Sequence, residues 1–420
     1  MTAHVEIKHT DRCGRFLVAK KDFHEGEIVL KERPLLLPHP ASSLSHLERD
    51  AISSFQSNTG LETISDFLFL KAFCKAEERI RSAVLDCFTP PLTSTDSTLC
   101  AILKVVQLAK TQAWSKAYSS NTLETVILVK ATNSHSFEDD SALFSLGSKI
   151  NHSCCPNLVY TSQRESGFGC FVAIKPIRSG QEVNFSYIDT YQSTPMRRKA
   201  LRARYLFDCQ CSGCTTGFDY YRGFDCPTHP KEHMIFFNQE SGVWVEPGNW
   251  TGPCQSHDPP LSPLNLEGEW EDRITRVTET VSDPKRVRVE LAVAEAKFSR
   301  GHAIVKLLEK HLIGLLVDTR PDLKTAREIS RLTEGLIEWA LGDAGVLGTL
   351  LLRVGCYLGR SGDFDGGLKF INAAEEDQKL VLSKESEISK ISRRARVACK
   401  SHDASRVPEL EPRSGGCPIQ

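Results

Sequence analysis

This 420-residue chain has no run of about 18 apolar residues, so no membrane-spanning helix is expected. Its first residues also lack a charged start followed by an apolar stretch, and no secretory signal is expected. Net charge is nearly absent too: 52 Lys and Arg stand against 53 Asp and Glu, leaving −1. That balance offers no general attraction to nucleic acid or to an anionic membrane surface. The one basic stretch, Arg197, Arg198, Lys199, Arg202 and Arg204, alternates with Ala200, Leu201 and Ala203 and reads as a solvated helix face. These absences point to an intracellular protein, cytoplasmic or nuclear, with no direct nucleic-acid contact and with a monomer as the default state. Cysteine, by contrast, is plentiful at 15 residues. In a reducing compartment closely spaced cysteines suggest metal ligation before disulfides.

The length allows two or three domains. Residues 1–40 read as short strands and turns, with Ile28, Val29 and Leu30 bracketed by Gly26 and Pro34. From about 44 to 130 apolar residues recur at three- and four-residue spacing, which predicts helices interrupted at Pro90-Pro91. Strands return over 141–190, and a cysteine-rich stretch follows to about 215. Residues 216–275 read as loop, 276–400 as helices, and the tail from 401 as disordered. Within the last helical block Gly355, Leu358, Gly362, Phe364, Gly367, Ile371 and Ala374 match one tetratricopeptide-like helix pair, with a generic helix bundle as the alternative.

Three segments carry the chemistry. Asn151-His152-Ser153-Cys154-Cys155-Pro156-Asn157 comes first, and Glu182-Val183-Asn184-Phe185-Ser186-Tyr187-Ile188-Asp189 follows about thirty residues later. Tyr205-Leu206-Phe207-Asp208-Cys209-Gln210-Cys211-Ser212-Gly213-Cys214 closes the set. Cys209, Cys211 and Cys214 form a CxCxxC knot suited to one tetrahedral Zn²⁺, whose fourth ligand must come from elsewhere. Cys154 or Cys155 is the obvious donor. Singly, Asn151-His152 would pass for a polar turn and Tyr187 for an ordinary strand aromatic.

Taken together, the order and wording of these segments resemble the SET-domain lysine methyltransferases, and most closely the SET-and-MYND subfamily. The string N-H-S-C-x-P-N, then G-x-E-V-x-x-S-Y-I/L-D, then R-x-x-L-x-x-x-Y-x-F-x-C-x-C-x-x-C is matched by Asn151 to Asn157, Gly180 to Asp189 and Arg198 to Cys214. Gly14 to Ala19, followed by Gly26-Glu27, is similar to the family's opening G-x-G-L-x-A and G-E. The resemblance implies an α+β fold: a SET β-fold of small curved sheets with a pseudoknot-like core, split by a helical insertion. A zinc-bound post-SET segment and an α-helical, TPR-like C-terminal domain would follow. The implied spans are 1–45 and 141–190 for the two parts of the SET domain, 46–140 for the insertion and 191–220 for the post-SET segment. A cysteine- and histidine-containing loop region at 221–275, helices at 276–400 and a tail at 401–420 complete the chain.

The same resemblance implies roles. Gly14, Arg15, Asn151, His152, Tyr187 and Phe207 would contact S-adenosylmethionine, with Phe207 packing on adenine. Tyr187 would be the active-site tyrosine. Cys154 would join Cys209, Cys211 and Cys214 on a structural zinc, leaving Cys155 at the variable position. The implied activity is transfer of a methyl group to a lysine side chain of a protein substrate, histone or non-histone.

Departures are visible as well. Phe16 replaces the second glycine of the opening motif, so its side chain must point away from the cofactor or the loop must shift. The MYND module is missing, since only Cys74 and Cys87 lie between 42 and 90. Cys226, His229, Cys254 and His257 read as a zinc ribbon, with His233 as a competing ligand, or as scattered polar residues in a loop. The terminal Cys417-Pro418-Ile419-Gln420 fits a prenylation box with an awkward proline, or a plain disordered tail. The competing function is a catalytically weak zinc scaffold that binds a peptide or protein partner through its C-terminal helices.

Overall fold

The computed structural model describes residues 4–10, 14–62, 64–89, 97–137, 140–162, 164–226, 234–241, 243–245, 263–340 and 347–410. The fold is α+β, with small sheets and many helices. In the first sheet the strand order is Val5–Thr10, Gly14–Ala19, Glu182–Phe185 and Asn151–His152. The first three run antiparallel, and Asn151–His152 lies parallel to Glu182–Phe185, pairing Asn151 with Asn184 and His152 with Phe185. Two motifs thirty residues apart in sequence are thereby hydrogen-bonded neighbours. Gly14 opens its strand at φ +64°, a left-handed conformation that glycine adopts without the Cβ penalty.

A second sheet places Gly169–Ala173 between Ile28–Glu32 and Leu158–Thr161, all antiparallel. The two sheets share a core in which Leu17, Phe23, Phe144, Phe171 and Val183 are essentially sealed from solvent. Burying each such side chain is worth about 1.5–3 kcal/mol. Glu32 is a buried exception. Its carboxylate accepts the Leu146 and Gly147 backbone N–H groups, fixing the turn that leads to Asn151.

The insertion is helical: His46–Thr59, Ile64–Lys75, Glu78–Leu85, Ser97–Lys110 and Ser120–Asn133. Ser45 and Glu48 cap the first of these reciprocally, and Gly60 ends it at φ +67°. Phe67 to Phe73 are buried on every face of the second helix, which is therefore the centre of the insertion rather than an amphipathic surface helix. Strand structure resumes at Ser134, in the hairpin Ser134–Phe137 with Asp140–Leu143, several residues earlier than the sequence suggested.

Two expectations for the C-terminal half need correction. Residues 216–275 are not uniformly loop: Phe218–Asp225, Met234–Asn238 and Val243–Val245 form an antiparallel sheet, and a helix already starts at Pro263. The aromatic-rich stretches Phe218 to Phe224 and Ile235 to Phe237 supply the β-forming residues that the surrounding Gly and Pro obscured. The tail is also placed further than expected: a 3₁₀ turn covers Ala404–Arg406, and Val407 is buried against the last helices.

Helices Pro263–Thr280, Pro284–Glu295, Ala303–Leu316, Leu323–Trp339, Gly348–Arg360, Phe364–Gln378 and Glu387–Lys400 share one apolar core. The pair Gly348–Arg360 and Phe364–Gln378 meets at Gly355 and Gly367. A Cβ on Gly355 would lie 2.7 Å from the Ile371 side chain and 3.0 Å from the Gly367 carbonyl. This bundle docks on the second sheet. Leu380 packs with Cys170 and Val172, Thr161 donates to the Val381 carbonyl at 2.7 Å, and Arg164 donates to the Leu380 carbonyl at 2.5 Å. No helix of the described residues is long and apolar enough to cross a membrane.

Candidate functional site

The junction of the parallel strands is braced by Asn157, the last residue of the Asn-His motif. Its side-chain amide donates to the Glu182 carbonyl at 2.8 Å, and its Oδ1 accepts the Asn184 N–H at 2.8 Å. The chain leaving Glu182–Phe185 is thereby held against Asn151 and His152. His152 Nδ1 accepts the Tyr187 backbone N–H at 3.0 Å. A ring nitrogen that accepts carries no proton, so the proton sits on Nε2, which faces the Cys154 sulfur at 3.2 Å. Burial pulls the His152 ring down to about 4, keeping it neutral around pH 7.

Tyr187 is partly buried, and burial pushes its hydroxyl above the ordinary tyrosine range. The hydroxyl donates to the Ile150 carbonyl at 2.7 Å. Its ring packs among Tyr205 at 4.9 Å, Phe185 at 5.1 Å and His152 at 5.3 Å between centroids.

The third segment arrives on helix Thr194–Tyr205, capped by Ser193 and ended by Leu206 at φ +57°. A left-handed conformation costs a non-glycine residue roughly 1–2 kcal/mol. Here it reverses the chain so that Phe207 comes 6.0 Å from the His152 ring. Immediately beyond, the sulfurs of Cys154, Cys209, Cys211 and Cys214 lie within 4.8 Å of one another. Thiolates around a tetrahedral Zn²⁺ at about 2.3 Å would stand roughly 3.8 Å apart. The Cys154 sulfur is 3.5 Å from Cys214 and 4.0 Å from Cys209, so the donor set and its spacing suit that ion. Arg197, buried beneath them, donates to the Gly213 carbonyl at 2.9 Å and approaches the Cys214 sulfur at 3.8 Å, offsetting thiolate charge. Cys154 is the member of the adjacent pair whose sulfur joins the cluster. Cys155 turns aside, exposed, where a Cβ on Gly213 would strike its sulfur at 2.5 Å.

Gly14, Arg15, Asn151, His152, Tyr187 and Phe207 all line one cavity of about 1060 Å³, and Cys209 and Cys211 lie on its wall. Arg15 reaches across to Asp86 of the insertion at 2.5 Å. Phe16, on the other face of the strand from Arg15, is not on that wall. Cys226 is fully buried among apolar residues of the C-terminal half. His229, His233, Cys254, His257 and Cys417 lie outside the described residues.

Several lining residues had no role assigned from sequence. Tyr205 lies within the third segment, where the motif alone could have marked it. Glu182 accepts from the Asn151 amide at 3.3 Å. His135 lies against Phe144, Tyr160, Phe171 and Phe185, with ring centroids 4.7–5.6 Å away. Among the described residues neither ring nitrogen has a hydrogen-bond partner of ordinary geometry, and burial pulls the ring to about 4 while the Asn133 backbone pulls the other way. No local sequence signal singles it out.

The chain is similar to several known proteins. A family profile described as "SET domain" matches residues 14–188. A putative SET domain-containing protein of Acanthamoeba polyphaga mimivirus is 35% identical over 82 residues, covering 20% of this chain and 31% of that one. The histone-lysine N-methyltransferase ASHR1 of Arabidopsis thaliana is 25% identical over 267 residues, covering 50% of this chain and 54% of that one. The N-lysine methyltransferase SMYD2 of Homo sapiens is 38% identical over 99 residues, covering 22% of each chain. The chain thus spans from about a fifth to about half the length of these relatives. Residues 14–188 thus match the SET-domain profile, and the relatives the chain resembles are named as a SET domain-containing protein and as lysine methyltransferases.

Proposed function

We propose that this protein transfers a methyl group from S-adenosylmethionine to the side-chain nitrogen of a lysine in a protein substrate. The observation that carries the reading is the meeting of Asn151, His152, Tyr187 and Phe207 on one cavity wall, beside a four-cysteine cluster. Relatives whose names include lysine methyltransferase support it. In this reading Gly14, Arg15, Asn151 and His152 hold the amino-acid and nucleoside parts of the cofactor, and Phe207 offers its flat face to adenine. Cys154, Cys209, Cys211 and Cys214 would hold one structural Zn²⁺ in a post-SET segment. In finger peptides such a site is worth about 10–16 kcal/mol of apparent binding energy.

When bound, S-adenosylmethionine supplies the electrophile, a methyl group on a positively charged sulfur. The remaining work falls to alignment and electrostatics. A lysine amine with an ordinary pKa near 10.4 must lose its proton, which at pH 7.5 costs about 4 kcal/mol. The aromatic walls of Phe185, Tyr187 and Tyr205 desolvate the amine and lower that cost. The Tyr187 proton is committed to the Ile150 carbonyl, so its oxygen can accept an amine N–H and turn the nitrogen lone pair toward the methyl group. No carboxylate base is required, because water takes the proton before transfer.

The scaffold alternative leaned on Phe16 in the cofactor loop and on the repeat-like stretch around Gly355; Phe16 lies off the cavity wall, while the helix pair at Gly355 is present but forms no part of that wall. The reading is tested by tritium transfer from labelled S-adenosylmethionine to a protein pool. Transfer is expected from the native enzyme and should fall at least a hundred-fold in Tyr187→Phe and His152→Ala proteins that retain their melting temperature. Full activity in both would remove these residues from the mechanism.

A further inference from the structure

The cavity wall carries two carboxylates, Glu182 and Asp208. Asp208 is paired with Arg202 at 2.5 Å. Among the described residues Glu182 has no cation within salt-bridge distance, and its hydrogen-bond partner is the neutral Asn151 amide, 3.3 Å away. It is half-buried, and burial raises its pKa while the Asn151 bond pulls the other way. A carboxylate so placed gains free energy when a cation enters beside it. Around it the wall is mixed in sign: Arg15 and Lys149 lie on the same cavity, with Lys149 donating to the Ser145 carbonyl at 2.7 Å. The cavity wall as a whole thus carries both signs of charge, as a zwitterionic amino-acid moiety requires, and the Tyr187 side of it is aromatic.

We propose that Glu182 is the anionic recognition group for the α-ammonium of the cofactor's amino-acid end, acting directly by charge and also by orienting Asn151. This deepens the methyltransferase reading and rests on it. A carboxylate only accepts, so Asn151 must turn its NH₂ toward Glu182, which leaves its Oδ1 to accept from a donor on another side. Glu182 belongs to the strand paired with Gly14–Ala19 and follows directly on the Gly180 turn, so its position is set by a rigid element.

The test is calorimetric titration of the full-length, zinc-loaded protein with three ligands. S-adenosylmethionine and S-adenosylhomocysteine carry the ammonium, and methylthioadenosine carries the same nucleoside without it. Glu182→Gln keeps the shape and an acceptor but removes the charge. A charge-assisted hydrogen bond is worth about 1.5–3 kcal/mol. Both ammonium-bearing ligands should therefore bind about ten-fold more weakly or worse, with methylthioadenosine within two-fold of its native affinity. Glu182→Asp should restore part of the ammonium preference. Equal weakening of all three ligands, or unchanged affinity for all, overturns the proposal. Failure of the native protein to bind any of them overturns the cofactor reading, and this assignment with it.

Discussion

His152 shows how tightly the site residues depend on one another. One ring nitrogen takes the Tyr187 backbone N–H, the other faces the Cys154 sulfur, and the ring borders both Tyr187 and Phe207. His135 is the opposite case, a buried ring whose two nitrogens have no hydrogen-bond partner among the described residues. An unsatisfied buried polar group costs about 1–3 kcal/mol. His135→Phe should therefore keep or raise the melting temperature, as read by thermal denaturation. A loss of several degrees would mean that the nitrogens do bond in solution. At this scale the sequence disclosed the residues that sit in strings: Asn151, His152, Tyr187, Phe207 and the cysteines. It named Glu182 within the second string but gave it no role, and it did not disclose His135 as a wall residue. Their exposure to the cavity depends on which face of a strand they occupy, and on neighbours brought in from residues 144–185.

At the scale of elements, the segment from Leu206 to Thr215 has little apolar surface of its own. Its order rests on the Cys154–Cys214 cluster and on Arg197. With the proposed Zn²⁺ on the four cysteines, treatment with a chelator, or replacing Cys211 by Ser, should free this segment and with it Phe207. Hydrogen exchange should rise there while the helices of the insertion stay protected, and cofactor affinity should fall more than ten-fold. Uniform exchange across the chain would contradict a local role.

The insertion has its own keystone in Glu48, which burial opposes. Hydrogen bonds from Lys71, the Ser45 backbone and Trp114 nevertheless hold its carboxyl at about 2. A carboxyl depressed from 4.5 to about 2 contributes stability that is fully present above pH 4.5 and lost as pH falls toward 2. Glu48→Gln should cost about 3–5 kcal/mol at pH 7, because Lys71 is left buried and unpaired. The cost should shrink between pH 4.5 and 2 in denaturant titrations. A pH-independent cost would show that the carboxylate charge is not what matters.

Helical elements were easy to read where the apolar spacing was periodic. The sheet over 218–245 was not, because its strands are short and separated by turn-forming residues. Two of its aromatics, Phe224 and Tyr221, pack on residues far later in the chain, Phe298 and Trp339.

For the whole molecule, the order of strands, then helices, then strands over the first 190 residues followed from the switch between strand and helix periodicity. The docking of the helical bundle did not, since it runs through backbone carbonyls at Leu380 and Val381 that no side-chain pattern records. The consequence for function is that strands from both ends of a 175-residue stretch and a four-cysteine segment must close on one cavity. The most direct test follows an isotope-labelled methyl group from S-adenosylmethionine to its acceptor atom by mass spectrometry, after incubating the zinc-loaded protein with a cellular protein extract. The label should appear on the ε-nitrogen of lysine with the native protein and be absent with Tyr187→Phe. Label on another residue type, or on nothing, would contradict the account.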